Sequence, residues 1–456
     1  KNSSRLSFRL QIRSFKNAFF QFNDLPFKGL ISDRLIEEIH QSGDVRSTIF
    51  TPLVTLRAFL FQALSSTGAC KEAVAHILTE RIGLDYHANS MNTGPYCKAR
   101  LRLQLPHLKE AVSSSGQALH EQASKSWLWN GYQVVLVDGT TFLMPDTKSN
   151  QKSYPQQHAQ KPRLGFPIMR LVGLLSLSTG GCMNYATGSY QGKGKGTGKG
   201  TGETSLFSRL IRFLGSRDLL LADRYYTSYA NYVLLTQQGT PLVFRQRSTV
   251  KSDFRRGQRL GAKDHIISVK KPKKKPIWMS DEAWTEMPAE FLIREFAVKG
   301  IVYVTTLMDA KTYPKKALAE LYQERWKIEV DFRTLKTHMG MDMFRCKTAD
   351  MIDKEIAIHL LAYNLIRVNL ARAACINNKL PHHLSFMATV QLMRNMASLC
   401  ITMTGAVLGK LMPAILMAIT QTAVEQQKRP NQPRVIKRRP KAYSLMTKPR
   451  IEYATT

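Results

Sequence analysis

The sequence predicts an α/β protein in which a mixed sheet is flanked by helices. Short, almost wholly apolar segments rich in β-branched residues begin at position 132 and include YQVVLVD, RLVGLLSLS and DLLLADRYY. Such segments are typical of strands that are buried on both faces. The helical pattern ETSLFSRLIRFLG lies between two of them, and strands interrupted by a helix favour a mixed α/β sheet. The 456 residues, 43% of them hydrophobic, are enough to bury such a core.

The patterns divide the chain into five predicted regions. Residues 1–125 carry apolar residues at three- and four-residue spacing, which predicts an N-terminal helical region that binds DNA. Residues 126–240 hold the first part of the core, in which GTTFLMPD follows YQVVLVD as a turn and a second strand. Residues 241–310 predict a β-rich insertion, and residues 311–380 the helical second part of the core. Residues 381–456 predict a C-terminal helical region that ends in a basic, proline-rich arm.

The charge of the chain predicts a polyanionic partner. Lysine and arginine total 66 against 33 acidic residues, which gives a formal net charge of +33. Because self-repulsion on this scale destabilises a compact monomer, nucleic acid is the first candidate and an anionic membrane surface the second. A highly charged protein without such a partner is the third interpretation. The cations concentrate at 255–275 in the insertion and at 428–450 in the arm.

Cysteine usage and hydropathy argue against several protein classes. The six cysteines are scattered, without a CxxC pair or matching histidine spacing, which argues against a zinc module and a disulfide framework. The longest apolar stretch, 396–409, is shorter than the roughly 20 residues that span a bilayer. The opening residues contain no continuous apolar segment typical of a signal peptide. We therefore expect a cytoplasmic protein.

A glycine-rich basic segment, YQGKGKGTGKGTGE, occupies residues 190–203. Its spacing does not match the phosphate-binding loop that ends in Gly-Lys-Ser/Thr, and no predicted strand leads directly into it. The composition predicts a flexible surface loop. Contact of its backbone with DNA phosphates is the alternative.

Two aspartates close apolar strands in a chain that is short of acids. Asp138 ends YQVVLVD, and Asp223 ends LLLAD. A buried carboxylate without a partner is costly, so each needs a cation or strong donors nearby. Because both would lie at the carboxyl edge of one sheet, they form a plausible platform for a divalent metal. For either residue alone, capping of a turn or helix is the simpler interpretation.

A third acid is identified by helical geometry. In LYQERWKIEVDFRTLK, a rotation of about 100° per residue places four side chains within roughly 60° on one stripe. These four side chains are Tyr322, Arg325, Glu329 and Lys336. The stripe suits contacts with phosphates and bases, whereas Glu324 and Asp331 fall on the opposite face, where we expect solvent. A helix with ordinary intrahelical ion pairs is the alternative interpretation.

Together these motifs resemble a known family. The spacing Tyr-x2-Arg-x3-Glu-x6-Lys that begins at Tyr322 is similar to the Tyr-Arg-Glu-Lys signature of bacterial insertion-sequence transposases, in the group named after insertion sequence four. VDGTTF at Asp138 and LLADRYY at Asp223 resemble the first and second acidic motifs of that family. HLLAYNLIR and VIKRRPKAYSLMTKPR are similar to later family segments, so the resemblance covers most of the chain.

The resemblance implies a DDE transposase with a ribonuclease-H-like catalytic core. Asp138, Asp223 and Glu329 would form the acidic triad that holds two Mg2+ ions, with Mn2+ able to replace Mg2+. The remaining signature residues would contact the DNA of the transposon end, namely Tyr322, Arg325 and Lys336. In relatives a tryptophan of the insertion stacks on a flipped base, and Trp278 and Trp284 are the candidates here.

The resemblance also implies the partners. These are double-stranded DNA, as the terminal inverted repeats of the transposon and as the target, and a second copy of the chain in a synaptic homodimer. We expect no membrane association, and a cytoplasmic enzyme that joins the nucleoid when it binds DNA. Some family members pass through a hairpin intermediate, and the residues of this chain do not decide that point.

The residue chemistry agrees with phosphodiester transfer. Two hard cations about 3.5–4 Å apart act on the attacking and the leaving oxygen, and Mg2+ requires oxygen ligands. With water as nucleophile the product is a nicked strand, whose 3′ hydroxyl then joins target DNA.

Three alternatives compete with this interpretation. The first is a ribonuclease-H-like, metal-dependent DNA nuclease without strand transfer, against which the Tyr-Arg-Glu-Lys stripe argues. The second is a protein that only binds DNA, which would gain nothing from acids that repel a phosphate. The third is an inactive DNA-binding relic of a transposase, since intact motifs do not guarantee activity.

Overall fold

The computed structural model describes residues 31–41, 49–83, 90–190, 200–399, 405–422 and 446–453. Three features of the sequence lie outside these residues: the opening segment, most of the glycine-rich basic segment and most of the basic arm. Within the described ranges, no helix is both long and apolar enough to cross a lipid bilayer.

Helices precede the sheet, as the apolar periodicity predicts. They are α1 (Asp33–Gln41), α2 (Pro52–Leu64), α3 (Cys70–Gly83), α4 (Gly94–Arg102) and α5 (Leu105–Glu121). Thr51 caps α2 by accepting a hydrogen bond from the Val54 amide, and Pro52 stands in the first turn, where a helix needs no donor. The limits of this region and its role in DNA binding stay predictions.

One mixed sheet contains the nine strands found in the described residues. They are β1 (Gln133–Leu143), β2 (Ile168–Ser176), β3 (Cys182–Ser189), β4 (Asp218–Ala222), β5 (Leu242–Arg245), β6 (Gln258–Gly261), β7 (Asp264–Lys270), β8 (Glu290–Val298) and β9 (Ile301–Thr305). Their spatial order is β3-β2-β1-β4-β5-β9-β8-β7-β6. β1, β4 and β5 are parallel, and the other neighbouring pairs are antiparallel. The predicted mixed α/β class is confirmed.

The parallel centre of the sheet is covered on both faces. Leu219 and Leu221 of β4 pack into one hydrophobic cluster, whereas Leu220 and Ala222 pack into another on the opposite face. All four residues are fully buried. Burial on both faces explains why this strand has a continuous apolar sequence rather than an alternating one.

β1 is a single strand, whereas the sequence predicts two strands separated by a turn after Asp138. It runs without interruption from Gln133 to Leu143, so the predicted turn after Asp138 is wrong. β2 pairs with β1 along most of its length, and this pairing continues the strand past Asp138. Phe142 and the two threonines before it also favour extended backbone. Asp138 therefore lies within a strand and not at its end.

The antiparallel edge holds a strand that the sequence patterns missed. β3 has the sequence CMNYATGS, which lacks an apolar run, and it forms through backbone pairing with β2. The predicted helix that follows is split into α7 (Glu203–Ser208) and a 3-10 turn at Ile211–Phe213. Two more helices connect strands, α6 (Lys148–Ser153) before β2 and α8 (Tyr229–Gln237) before β5.

The strands between 241 and 310 extend the same sheet. β5 pairs in parallel with β4 through Leu220 and Leu242, so this strand belongs to the parallel centre although it falls in the segment predicted as an insertion. β9, β8, β7 and β6 follow outward, with α9 (Asp281–Glu286) between β7 and β8. The limits of an insertion stay a prediction.

Helices dominate the described residues after the sheet. The predicted continuous helix at 315–339 is divided into α10 (Lys315–Gln323), a 3-10 turn (Glu324–Trp326), α11 (Lys327–Arg333) and a π-helical turn (Thr334–His338). Three further helices follow, α12 (Ala349–Ile376), α13 (Phe386–Leu399) and α14 (Gly405–Thr420). α12 is largely buried and packs against α2, α5 and α14, which joins the first helices to the rest of the protein.

Candidate active site

Asp138 and Asp223 follow paired residues of two neighbouring parallel strands. Val137 of β1 pairs with Ala222, the last residue of β4, so the next residue on each chain segment is an aspartate. The Gly139 amide donates a hydrogen bond of 2.8 Å to Oδ1 of Asp138. Asp138 and Asp223 therefore lie side by side at the carboxyl end of β4, where β1 continues beyond it. This part of the sheet is called the acidic edge below.

Arg325 connects Glu329 to this edge. Its Nη1 donates to Oδ2 of Asp138 at 3.3 Å, and its Nη2 donates to Oε1 of Glu329 at 3.1 Å. Glu329 stands in the first turn of α11, which packs against β1. Asp138 and Glu329 therefore both contact the guanidinium of Arg325, and Asp223 lies at the end of the neighbouring strand β4.

Burial is the largest influence on the protonation of Asp138. Burial raises the pKa of Asp138 to about 6, and the negative charges of Asp223 and Glu203 add to the increase. The Gly139 amide and the Arg325 guanidinium oppose it. A carboxyl pKa this high indicates that burial, together with the neighbouring acids, outweighs the Gly139 amide and the Arg325 guanidinium.

The donor set fits a hard divalent cation. Carboxylate oxygens are the ligands that Mg2+ prefers, and the raised pKa of Asp138 indicates a need for positive charge. Across the described ranges, no three His, Cys, Asp or Glu side chains are close enough together to hold a metal ion. The guanidinium of Arg325 supplies positive charge between Asp138 and Glu329. The acids therefore suit a metal in their chemistry, while Arg325 bridges two of them.

Tyr322 and Lys336, the outer members of the signature, contact aromatic rings. The ring of Tyr322 meets that of Tyr303 edge-to-face at 5.1 Å, and burial raises the pKa of Tyr322 to about 12. Nζ of Lys336 lies 5.5 Å from the centroid of the Phe142 ring, and burial lowers the pKa of this lysine. Tyr322 thus packs beside β9 and Lys336 beside β1, and their contact with DNA stays a prediction.

The expected position of Asp331 is wrong. Its side chain is fully buried and forms an ion pair with Arg367 of α12, whereas the sequence analysis placed it in solvent. The prediction failed because the side of α11 that carries Asp331 meets Arg367 of α12 instead of solvent. Glu324 is partly exposed and pairs with Lys327, so its position is closer to the solvent-facing one that the sequence predicts.

Three residues of this edge escaped the sequence analysis. Glu203, at the start of α7, influences the pKa of Asp138. Nε of Arg170 lies 3.5 Å from Oε1 of Glu203, and the Tyr226 hydroxyl is buried nearby. The available signal was the lone acid that ends the glycine-rich segment, together with the glycine that follows Asp138.

The two candidate tryptophans lie against α8. Trp284 of α9 meets the ring of Tyr229 edge-to-face at 6.2 Å, and Nζ of Lys271 lies 5.3 Å from its ring centroid. Trp278 is partly buried in the same hydrophobic cluster. Neither contact selects one of them as a base-stacking residue.

Comparison with known proteins identifies the family. Residues 129–365 match the family described as the transposase DDE domain. The chain is 25% identical to the transposase InsG for insertion sequence element IS4 of Escherichia coli (strain K12) over 385 residues, which covers 82% of this chain and 83% of that protein.

A solved structure is also similar. It is a piggyBac transposase synaptic complex with hairpin DNA, at a TM-score of 0.45 and 9% identity, covering 89% of this chain and 85% of that chain. The match to the DDE domain spans more than half of the chain. The protein therefore belongs to the DDE transposases, in the group of insertion sequence four.

Proposed function

We propose that this insertion-sequence transposase uses Asp138, Asp223 and Glu329 as its acidic triad to cleave transposon ends and to join the 3′ hydroxyl to target DNA. The observation that carries the proposal is the guanidinium of Arg325, which contacts Asp138 at 3.3 Å and Glu329 at 3.1 Å. Asp223 follows the residue paired with Val137 at the same edge. The shared contact of Asp138 and Glu329 with Arg325, and the position of Asp223 at the end of the neighbouring strand, support this assignment.

DDE transposase domains depend on divalent metal ions. The proposed ions are two Mg2+, which Mn2+ can replace, held by Asp138, Asp223 and Glu329. When bound, such ions stabilise charge on the attacking and leaving oxygens of a phosphodiester. The raised pKa of Asp138 supports this assignment, because burial disfavours the charged carboxylate and a bound cation would stabilise it.

The chain's own cations would hold the DNA strand. Arg325 carries a planar group suited to bidentate contact with phosphate oxygens, and it stands among the acids. Lys336 supplies a second positive charge beside β1. Tyr322 lies three residues before Arg325, packed against Tyr303. We assign all three signature residues to contacts with the transposon end.

A cationic face on the outer strands supports non-specific binding to double-stranded DNA. The exposed cations on and around β6 and β7 are Arg255, Arg256, Arg259, Lys263, Lys270, Lys273 and Lys274. Such a surface follows the phosphate backbone without reading sequence. The proposed ligands are the terminal inverted repeats and the target, and a homodimer would hold two ends together. The proposed location is the cytoplasm, at the nucleoid when DNA is bound.

The strand order supports a ribonuclease-H-like core. In the series β3-β2-β1-β4-β5, only β2 runs opposite to the other four strands, and this part of the sheet carries Asp138 and is followed by Asp223. We propose that β6 to β9 are the insertion of the family, between Asp223 and Glu329. In this division, the helices before β1 and the residues after α12 are accessory regions.

The test is an assay of the purified chain on linear duplexes that carry the inverted repeats flanking its own reading frame, together with a supercoiled target. With Mg2+ we expect cleavage at the repeat ends and products in which the 3′ end is joined to the target. Cleavage without joined products would favour the nuclease alternative. Binding without either product would favour the inactive relic.

A further inference from the structure

Two cysteines of the first helices lie side by side. Cys70 begins α3 and Cys97 belongs to α4, and their Sγ atoms are 3.9 Å apart although the residues are 27 positions apart in the sequence. Both cysteines are free thiols and partly exposed, so small molecules in solvent can reach them. Because the sulfurs of a disulfide are about 2 Å apart, a movement of roughly 2 Å would allow this pair to form one.

A guanidinium group contacts both thiols. Nη2 of Arg100 lies 3.4 Å from Sγ of Cys70 and 3.6 Å from Sγ of Cys97. The central carbon of the guanidinium lies 4.9 Å from the ring centroid of Phe59 and 5.0 Å from that of Tyr96. Aromatic rings attract and orient a guanidinium in this way. Arg100 is therefore held beside the two sulfurs.

Arg100 is a buried cation without an acidic partner. The residue is 8% exposed, and in the part of the chain that the structure describes no carboxylate forms an ion pair with it. Its Nη1 donates to Oε1 of Gln62 at 3.3 Å, and within the same ranges its Nε has no hydrogen-bond partner. A buried cation normally has an anion beside it. Of the groups within hydrogen-bond distance of this guanidinium, only the thiols can become anionic by releasing a proton.

The position of Arg100 favours a thiolate at this pair. Burial raises the pKa of Cys70, and the positive charge of Arg100 opposes that increase. The thiolate, and not the thiol, is the form that attacks an oxidant. The competing explanation is that Cys70 and Cys97 are inert, weakly polar side chains that fill the space between α3 and α4.

We propose that Cys70 and Cys97 are a redox-active dithiol that hydrogen peroxide oxidises to a disulfide. One thiolate attacks a peroxide oxygen, the O–O bond breaks, and the sulfur becomes a sulfenic acid while the departing hydroxide takes up a proton to form water. The second thiol then attacks that sulfur, the S–O bond breaks, and a second water leaves. Two thiols thus lose two electrons and two protons, and one peroxide is reduced to two waters. None of these residues belongs to the acidic edge.

The experiment treats a dilute solution of the folded full chain with hydrogen peroxide, counts its thiols after denaturation and maps disulfide-linked peptides by mass spectrometry. We expect the six thiols of the wild type to fall by two, with Cys70 joined to Cys97, and dithiothreitol to restore both. Cys375→Ser, which removes an exposed cysteine of α12, is the matched control and should form the same disulfide. Cys97→Ser should form none, and dimedone should trap a sulfenic acid at Cys70.

Arg100→Met tests the contribution of the guanidinium. Without this positive charge the thiolate is less stable, so disulfide formation should slow about tenfold or more. The wild-type rate in a folded Arg100→Met protein would overturn the role of Arg100. A folded wild type that keeps all six thiols, or that joins Cys70 or Cys97 to a different cysteine, would overturn the dithiol itself. Because no result depends on DNA cleavage, each leaves the assignment of the acidic triad untouched.

Discussion

Asp138 accepts a hydrogen bond of 3.3 Å from Arg325, although the two residues are 187 positions apart in the sequence. The same guanidinium donates to Glu329 at 3.1 Å. One cation thus offsets part of the repulsion between two acids that the fold brings together. Arg325 consequently affects both the electrostatics of the acids and, in our proposal, the DNA strand that they cleave.

Replacement of Arg325 should impair end cleavage more than general DNA binding. Arg325→Ala removes the cation between Asp138 and Glu329, and we expect end cleavage to fall about tenfold or more. Affinity for unrelated duplex should change little, because the exposed cations on the outer strands are untouched. Arg333→Ala, an exposed arginine of α11, is the control. Equal losses of cleavage and of non-specific affinity would contradict the assigned role.

The buried pair of Asp331 and Arg367 should be a strong contributor to stability. The pair ties α11 to the middle of α12, and within α12 the Nε of Arg367 also donates to the Tyr363 hydroxyl at 2.9 Å. Arg367→Met would leave a buried carboxylate without its partner, which typically costs about 3–5 kcal/mol. The double variant, Asp331→Leu with Arg367→Met, should lose less stability than Arg367→Met alone, because it leaves no unpaired charge. Urea unfolding of the wild type, Arg367→Met, Asp331→Leu and the double variant measures this coupling, and additive losses of stability would refute it.

His359 should make the protein sensitive to acid. Burial lowers the pKa of this histidine to about 4, and among the described residues its Nδ1 has no hydrogen-bond partner. The pKa of His359 in the folded protein lies below the ordinary value of 6.5. The contribution of the neutral His359 to stability is therefore present above pH 6.5 and is lost as the pH falls towards 4. Between pH 6.5 and pH 4, the free energy of unfolding should therefore fall by about 3 kcal/mol more for the wild type than for His359→Leu.

Unfolding free energies at pH 7, 6, 5 and 4 measure this difference. His158→Leu, which changes an exposed histidine, is the control and should follow the wild type. A constant difference between the wild type and His359→Leu across these pH values would show that His359 does not titrate in this window.

The cationic outer strands should determine the salt dependence of DNA binding. Each phosphate that the protein neutralises contributes about −0.9 to the slope of log affinity against log salt. Replacement of Lys263, Lys270 and Lys274 by glutamine should therefore make the slope shallower by about 2.7 if each contacts a phosphate. This slope is measured from the affinity for a duplex of random sequence at several salt concentrations from low to moderate. An unchanged slope would place the DNA elsewhere on the surface.

The sequence was most informative where a residue's environment follows from its neighbours along the chain. The apolar segments ending at Asp138 and Asp223 predicted buried strands, and the pairing of Val137 with Ala222 agrees. Asp331 was misplaced because its environment depends on Arg367, a residue of another helix. Uniform rotation also cannot anticipate a 3-10 or a π turn.

Other features depend on contacts that no local pattern records. β3 forms because β2 offers it a backbone edge, since its own sequence has no apolar run. The continuation of β1 past Asp138 has the same cause. Glu203 reaches the acidic edge through the position of α7 and the absence of a side chain at Gly139. Such residues become visible only when the strands are assembled.

The most direct test of the account is cleavage of a duplex transposon end by Glu329→Gln, measured beside Glu324→Gln, which changes a partly exposed glutamate five residues earlier in the chain. We expect Glu329→Gln to bind the end like the wild type and to yield no cleaved strand with Mg2+ or Mn2+, while Glu324→Gln cleaves normally. Wild-type cleavage by a folded Glu329→Gln protein would contradict the assignment of the triad.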